Sequence, residues 1–125
     1  MSVHGLNGAS YVDKVLGAIT FTESSDTLKF TSETDRVYTT LTKPDGSAVP
    51  IIVIEGDAPK LIVTRDSLPN TTVWNPWIDK AAAMGDFAPK DGWKNMICIE
   101  PGAVTSWTKL EAGEVWEGSQ VITAL

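Results

Sequence analysis

Short runs rich in Val, Ile, Thr and aromatic residues recur along the whole chain, each cut off by a cluster of Gly, Pro, Asp or Ser. This cadence is what most constrains the fold. Strands are expected over 18–23, 27–31, 36–41, 50–55, 60–65, 71–74, 95–100, 104–110 and 114–123, because β-branched and aromatic side chains fit a pleated surface. Ser24-Ser25-Asp26 joins the first two as a polar turn. Lys43-Pro44-Asp45-Gly46 pairs a turn-setting proline with a glycine that accepts positive φ. The run 50–55 is almost wholly apolar, as in a strand buried on both faces. Residues 5–8 read as a turn, and 10–15 is too short and mixed to assign. One helix is expected over 78–84, after the Asn75-Pro76 break and ended by Gly85 in a left-handed conformation. About nine strands and one short helix spell a mainly β chain, an antiparallel β-sandwich or barrel.

The 125 residues allow a single domain over 1–125, one that buries roughly two thirds of its unfolded surface. A net charge of −6, with Arg36 and Arg65 the only arginines, argues against nucleic acid and against an anionic membrane. The lone Cys98 excludes an intrachain disulfide framework and fits a reducing compartment. Neither a membrane-spanning apolar stretch nor a signal-peptide pattern appears at Met1-Ser2-Val3-His4-Gly5, so the cytoplasm is the expected location. No Cys/His cluster has metal-ligand spacing. Glu100 closes an alternating apolar strand just before the Pro101-Gly102 turn, where a carboxylate flanked by Ile99 and Pro101 is partly desolvated. On residue type alone, a solvated strand-end carboxylate is the commoner reading.

Several ordered motifs carry a resemblance. Val73-Trp74-Asn75-Pro76-Trp77-Ile78-Asp79-Lys80-Ala81, Met84-Gly85-Asp86-Phe87 and Ile97-Cys98-Ile99-Glu100-Pro101-Gly102 are similar to the C-terminal half of the glucose-6-phosphate 1-epimerases. Those are hexose-6-phosphate mutarotases of the galactose mutarotase-like (aldose 1-epimerase) superfamily. Gly5-Leu6-Asn7-Gly8-Ala9-Ser10-Tyr11 and Glu33-Thr34-Asp35-Arg36-Val37-Tyr38 fit the same pattern. The resemblance implies a truncated half of an antiparallel β-sandwich and the chemistry of sugar ring opening. There a base takes the anomeric proton while an acid protonates the ring oxygen.

Within that resemblance Glu100 matches the base, and Asp35 an aspartate that accepts hydrogen bonds from sugar hydroxyls. Trp74, Asn75 and Trp77 match a pocket-lining loop: Asn75 and Trp77 are the candidate binding residues, and for Trp74 core packing is the expectation. The family's histidine acid lies in a motif upstream of the segment matched by Gly5–Gly8, so His4, the sole histidine, is expected at a frayed surface terminus. The phosphate-binding arginines also belong to the unmatched half. Arg36 and Arg65 are no substitutes for them, and Arg36 is expected to face Asp35 or Glu33. The implied ligand is a hexose, a hexose phosphate or a glycan, with no cofactor, and activity weak or absent without the acid. The alternative is a non-catalytic carbohydrate-binding, signalling or interaction protein on the same scaffold. Half a sandwich leaves sheet edges open to water, which implies a homodimer or larger assembly.

Overall fold

A computed structural model describes residues 1–39 and 41–125. Its strands are β1 (Ser2–His4), β2 (Ser10–Asp13), β3 (Ile19–Thr22), β4 (Thr27–Lys29), β5 (Thr34–Tyr38), β6 (Ile51–Glu55), β7 (Ala58–Asp66), β8 (Asn70–Asn75), β9 (Cys98–Gly102) and β10 (Ser119–Ala124), with the helix α1 (Trp77–Ala83) after β8. They form two antiparallel five-stranded sheets, in the orders β10-β7-β6-β1-β4 and β3-β2-β5-β8-β9. The mainly β, sandwich-like architecture expected from the turn cadence is the one found.

The core lies between the sheets. Val3, Leu28, Ile51 and Val63 come from the first; Tyr11, Tyr38 and Val73 come from the second; Leu6, Ala9 and Leu41 fill in from connections. Burying each such aliphatic side chain is worth roughly 1.5–3 kcal/mol. Strand alternation explains the selection. Val73, Tyr38 and Tyr11 share one face of the second sheet with Ile99, which packs against the core, so their odd-numbered and even-numbered neighbours turn outward. Gly5 makes one close approach possible: at φ +90 its missing Cβ would sit 2.2 Å from the Pro50 carbonyl oxygen.

Several sequence expectations need correction. The expected strand over 36–41 is found as Thr34–Tyr38, and its position 40 lies outside the described residues. Ser24-Ser25-Asp26 does not close a hairpin: β3 belongs to the second sheet and β4 to the first, so the turn carries the chain across the sandwich. The Ser25 hydroxyl steadies that crossing, donating to the Thr27 carbonyl at 2.8 Å. No strand forms over 104–110, and 114–123 yields strand only within Ser119–Ala124. Gly85 is not left-handed; α1 ends instead on Met84 in an extended conformation (φ −76, ψ 114). His4 is not frayed. It sits on β1, paired to both β4 and β6, with its Nε2 2.7 Å from the Thr27 hydroxyl.

Arg36 ignores Asp35 and Glu33 and turns inward. Its Nε donates to Asp13 Oδ2 at 3.3 Å and a terminal nitrogen to Glu23 Oε2 at 3.1 Å. The guanidinium lies 4.5 Å over the Tyr11 ring, and the Tyr38 hydroxyl donates to Glu23 at 3.0 Å. Burial, opposed by the Arg36 charge, raises the Tyr38 phenol well above its ordinary value of 10.0 and lifts Tyr11 in the same direction. A raised folded-state pKa contributes stability that is present below pH 10 and lost as pH rises beyond it. These are the only two tyrosines. A spectrophotometric titration is therefore expected to show less than half the tyrosinate signal of free tyrosine at pH 10.0, with the remainder appearing together with unfolding. A tyrosinate signal equal to that of free tyrosine at that pH with the fold intact would refute the buried cluster.

Among the described residues no helix is long and apolar enough to cross a membrane.

Candidate functional site

In an antiparallel sheet, residues directly opposite one another share a face, and so do residues two apart along a strand. Asp35 on β5 lies opposite Trp74 on β8, and Trp74 opposite Cys98 on β9. One step further along, Val37 lies opposite Thr72, and Thr72 opposite Glu100. The outward face of the second sheet therefore carries Asp35, Trp74, Thr72, Cys98 and Glu100 side by side. Glu100 and Asp35, far apart in sequence, are brought to one surface with an indole and a hydroxyl between them.

The groups differ in setting. Glu100 is exposed, and β9 is the edge strand of its sheet. Cys98, two residues back on the same face, is partly buried; its thiol is pushed up in pKa by that burial first and then by the Glu100 carboxylate, to which it hydrogen-bonds. Asp35 is half-buried. Its Oδ1 is occluded and faces the Lys14 ammonium at 3.2 Å, close enough for an ion pair but without hydrogen-bond alignment. Lys14 is half exposed, so this pair is weak and leaves the carboxylate free to exchange its partner. Lys14 lies far from Asp35 along the chain, and only the pairing of β2 with β5 brings the two together.

Asn75 and Trp77 fall elsewhere. Asn75 has the same parity as Val73 and points inward, where its side chain is fully engaged. Its amide donates to the carbonyls of Trp93 (2.8 Å) and Met96 (3.0 Å), and its Oδ1 accepts from the Trp77 backbone N–H at 2.9 Å. That last bond holds Trp77 at φ +58, a left-handed conformation that is strained for a bulky residue. The Trp77 ring packs 4.4 Å from that of Trp93, and both help line a separate cavity of about 220 Å³ with Asn75, Phe30 and Met96. Sequence reasoning placed Trp74 in the core and Trp77 at the pocket; parity along β8 turns Trp74 outward instead. The signal was present in the chain, since Val73 as a core residue dictates where both its neighbours point.

A family model described as aldose 1-epimerase matches residues 2–123. The chain is also 40% identical, over 124 residues, to a Cenchrus ciliaris protein described as "Putative glucose-6-phosphate 1-epimerase". That alignment covers 98% of this chain but 36% of the relative, so the chain spans about a third of the length of the curated protein it matches.

Proposed function

We propose that this chain, which belongs to the aldose 1-epimerase family, presents a hexose-binding and ring-opening surface on the outward face of its second sheet. In this reading Glu100 is the base at the anomeric hydroxyl, Asp35 accepts hydrogen bonds from ring hydroxyls, and the Trp74 indole offers its face to the apolar side of a pyranose. Asn75 and Trp77 serve the site by fixing the loop that follows β8. The observation that carries the reading is the register that puts Glu100 and Asp35 on one face with Trp74 and Thr72 between them. The ligand is a hexose or hexose phosphate, and a free Cys98 fits a cytoplasmic setting.

The only histidine, His4, lies in the other sheet, so no histidine of this chain reaches Glu100 as proton donor. A general acid contributes about 10²–10⁴-fold in rate. The chain by itself is therefore a slow catalyst at best, and sugar binding without turnover is the second reading. Exchange NMR of glucose 6-phosphate anomers separates the two. Acceleration over buffer that is lost in Trp74→Ala supports catalysis at this face; amide shifts on β5, β8 and β9 without acceleration support binding alone. The absence of both acceleration and amide shifts would rule out the saccharide surface.

Edges and apolar surface point to assembly. Val104, Trp107, Val115, Trp116, Val121, Ile122 and Leu125 are all substantially exposed, with Trp107 fully so. Ile122 lies opposite the buried Val63, on the core-facing side of β10, yet has no covering layer. Ile122 on the uncovered core-facing side of β10 is apolar surface of the kind that a partner covers in stable proteins, and a second copy is the proposed one. Light scattering after size exclusion is expected to give a mass of two chains or more; a monodisperse monomer at micromolar concentration would overturn this.

A further inference from the structure

Arg65 lies on β7 two residues after the core residue Val63, so it too points between the sheets, at the end of the sandwich. It is 8% exposed. Its guanidinium donates to two backbone carbonyls, those of Val49 at 3.0 Å and Leu41 at 2.7 Å. Those bonds use two of its five N–H donors. Among the described residues no carboxylate comes within ion-pair distance of it. A buried, uncompensated cation is costly, and buried charges are ordinarily paired.

Arg65 also forms part of the wall of a cavity of about 600 Å³, within the range of small-molecule sites. Thr42, Ser106 and Thr108 add hydroxyls to that wall, and Trp116 adds an aromatic surface. Asp66 is the one carboxylate of the lining; it is exposed, alternates to the other side of β7 and makes no ion pair with Arg65. A cation with donors unused among the described residues, hydroxyls and an aromatic wall around a half-open cleft together describe a receptor for an anion.

We propose that this cavity binds a small oxyanion, a phosphate or a carboxylate carried by a molecule no larger than a sugar, with Arg65 as its counter-charge. A long polyanion is disfavoured by the chain's net charge of −6. The site belongs to the first sheet and to the loops at the sandwich end, whereas the sugar surface is the outward face of the second sheet. The two proposals therefore stand or fall separately.

Removing Arg65 would also strip two backbone carbonyls of their donors, so the informative variant adds a charge instead. Ser106→Asp places a carboxylate on an exposed stretch of the cavity wall. Inorganic phosphate and acetate are titrated in turn against wild type, at ionic strength held with sodium chloride, while the Trp116 indole N–H resonance is followed, Trp116→Phe serving to assign it. The expected result is a saturable shift with at least one of them, the tighter of the two naming the class of ligand. Ser106→Asp is expected to weaken it roughly tenfold or more and to raise the melting temperature of the ligand-free chain. No saturable shift with either anion would overturn the proposal, as would equal binding by Ser106→Asp.

Discussion

Replacing Arg36 with methionine is expected to lower unfolding stability by about 3–5 kcal/mol, the range measured when one partner of a buried ion pair is removed. Asp13 is 5% and Glu23 7% exposed, and the Arg36 guanidinium is the cation both of them contact. Methionine preserves much of the stem that covers Tyr11 but none of the charge, so two carboxylates are left in a poorly solvated site. Whole domains are typically stable by about 5–15 kcal/mol, which makes this loss a large fraction of the total. Urea unfolding measures it directly. Adding Glu23→Gln to the variant is expected to recover part of the loss, because the amide still meets the Tyr38 hydroxyl and the Ser25 N–H without bringing a charge. A loss below about 1 kcal/mol would place the cluster with exposed ion pairs, which contribute little.

The same cluster shows where the chain could and could not be read from its residues. Composition and turn spacing located seven of the strands to within a few positions, because Gly, Pro and Ser-Asp clusters fix where a ladder must stop. Which strands pair is a different question. Ser24-Ser25-Asp26 has the chemistry of a turn whether it joins two neighbours or crosses between sheets, and Arg36 reads the same whether it meets Asp35 beside it or Asp13 and Glu23 from distant segments. The segment 104–110 has strand-like residues yet joins neither sheet, although β9 just before it and β10 just after it are edge strands. Its backbone is held by a side chain instead, with Asn70 Oδ1 accepting from the N–H groups of Val104 and Thr105. Strand propensity describes fit to a pleated surface and carries no information about whether a segment joins a partner edge.

For the proposed sugar surface, alternation made more legible than residue type did. Cys98-Ile99-Glu100 places Ile99 inward and both polar neighbours outward, and the buried Val73 does the same for Thr72 and Trp74. What one strand cannot show is the alignment across strands. The pairing of Thr72 with Glu100, and of Asp35 with Trp74, is what turns separate outward residues into one surface. The salt link from Lys14 to Asp35 depends on the same long-range register, which brings β2 alongside β5.

Glu100→Gln is expected to return glucose 6-phosphate anomer exchange to the buffer rate. Glutamine keeps the shape and the hydrogen-bonding reach of the side chain but is not a base, and a positioned base supplies about 10²–10⁴-fold. Whatever acceleration the chain retains without a histidine donor depends on that contribution, so its removal leaves nothing measurable. The variant also reports on geometry without reference to turnover. The Cys98 thiol is held up by burial and then by the Glu100 charge and hydrogen bond, so neutralising Glu100 removes the charge and lowers the thiol pKa. More thiolate forms at mildly alkaline pH, and alkylation of Cys98 by iodoacetamide is expected to speed up. Faster alkylation with abolished exchange would match a base placed beside Cys98 on the outward face. Unchanged alkylation would mean that the two side chains do not meet, and exchange unaffected by the substitution would remove Glu100 from the reaction.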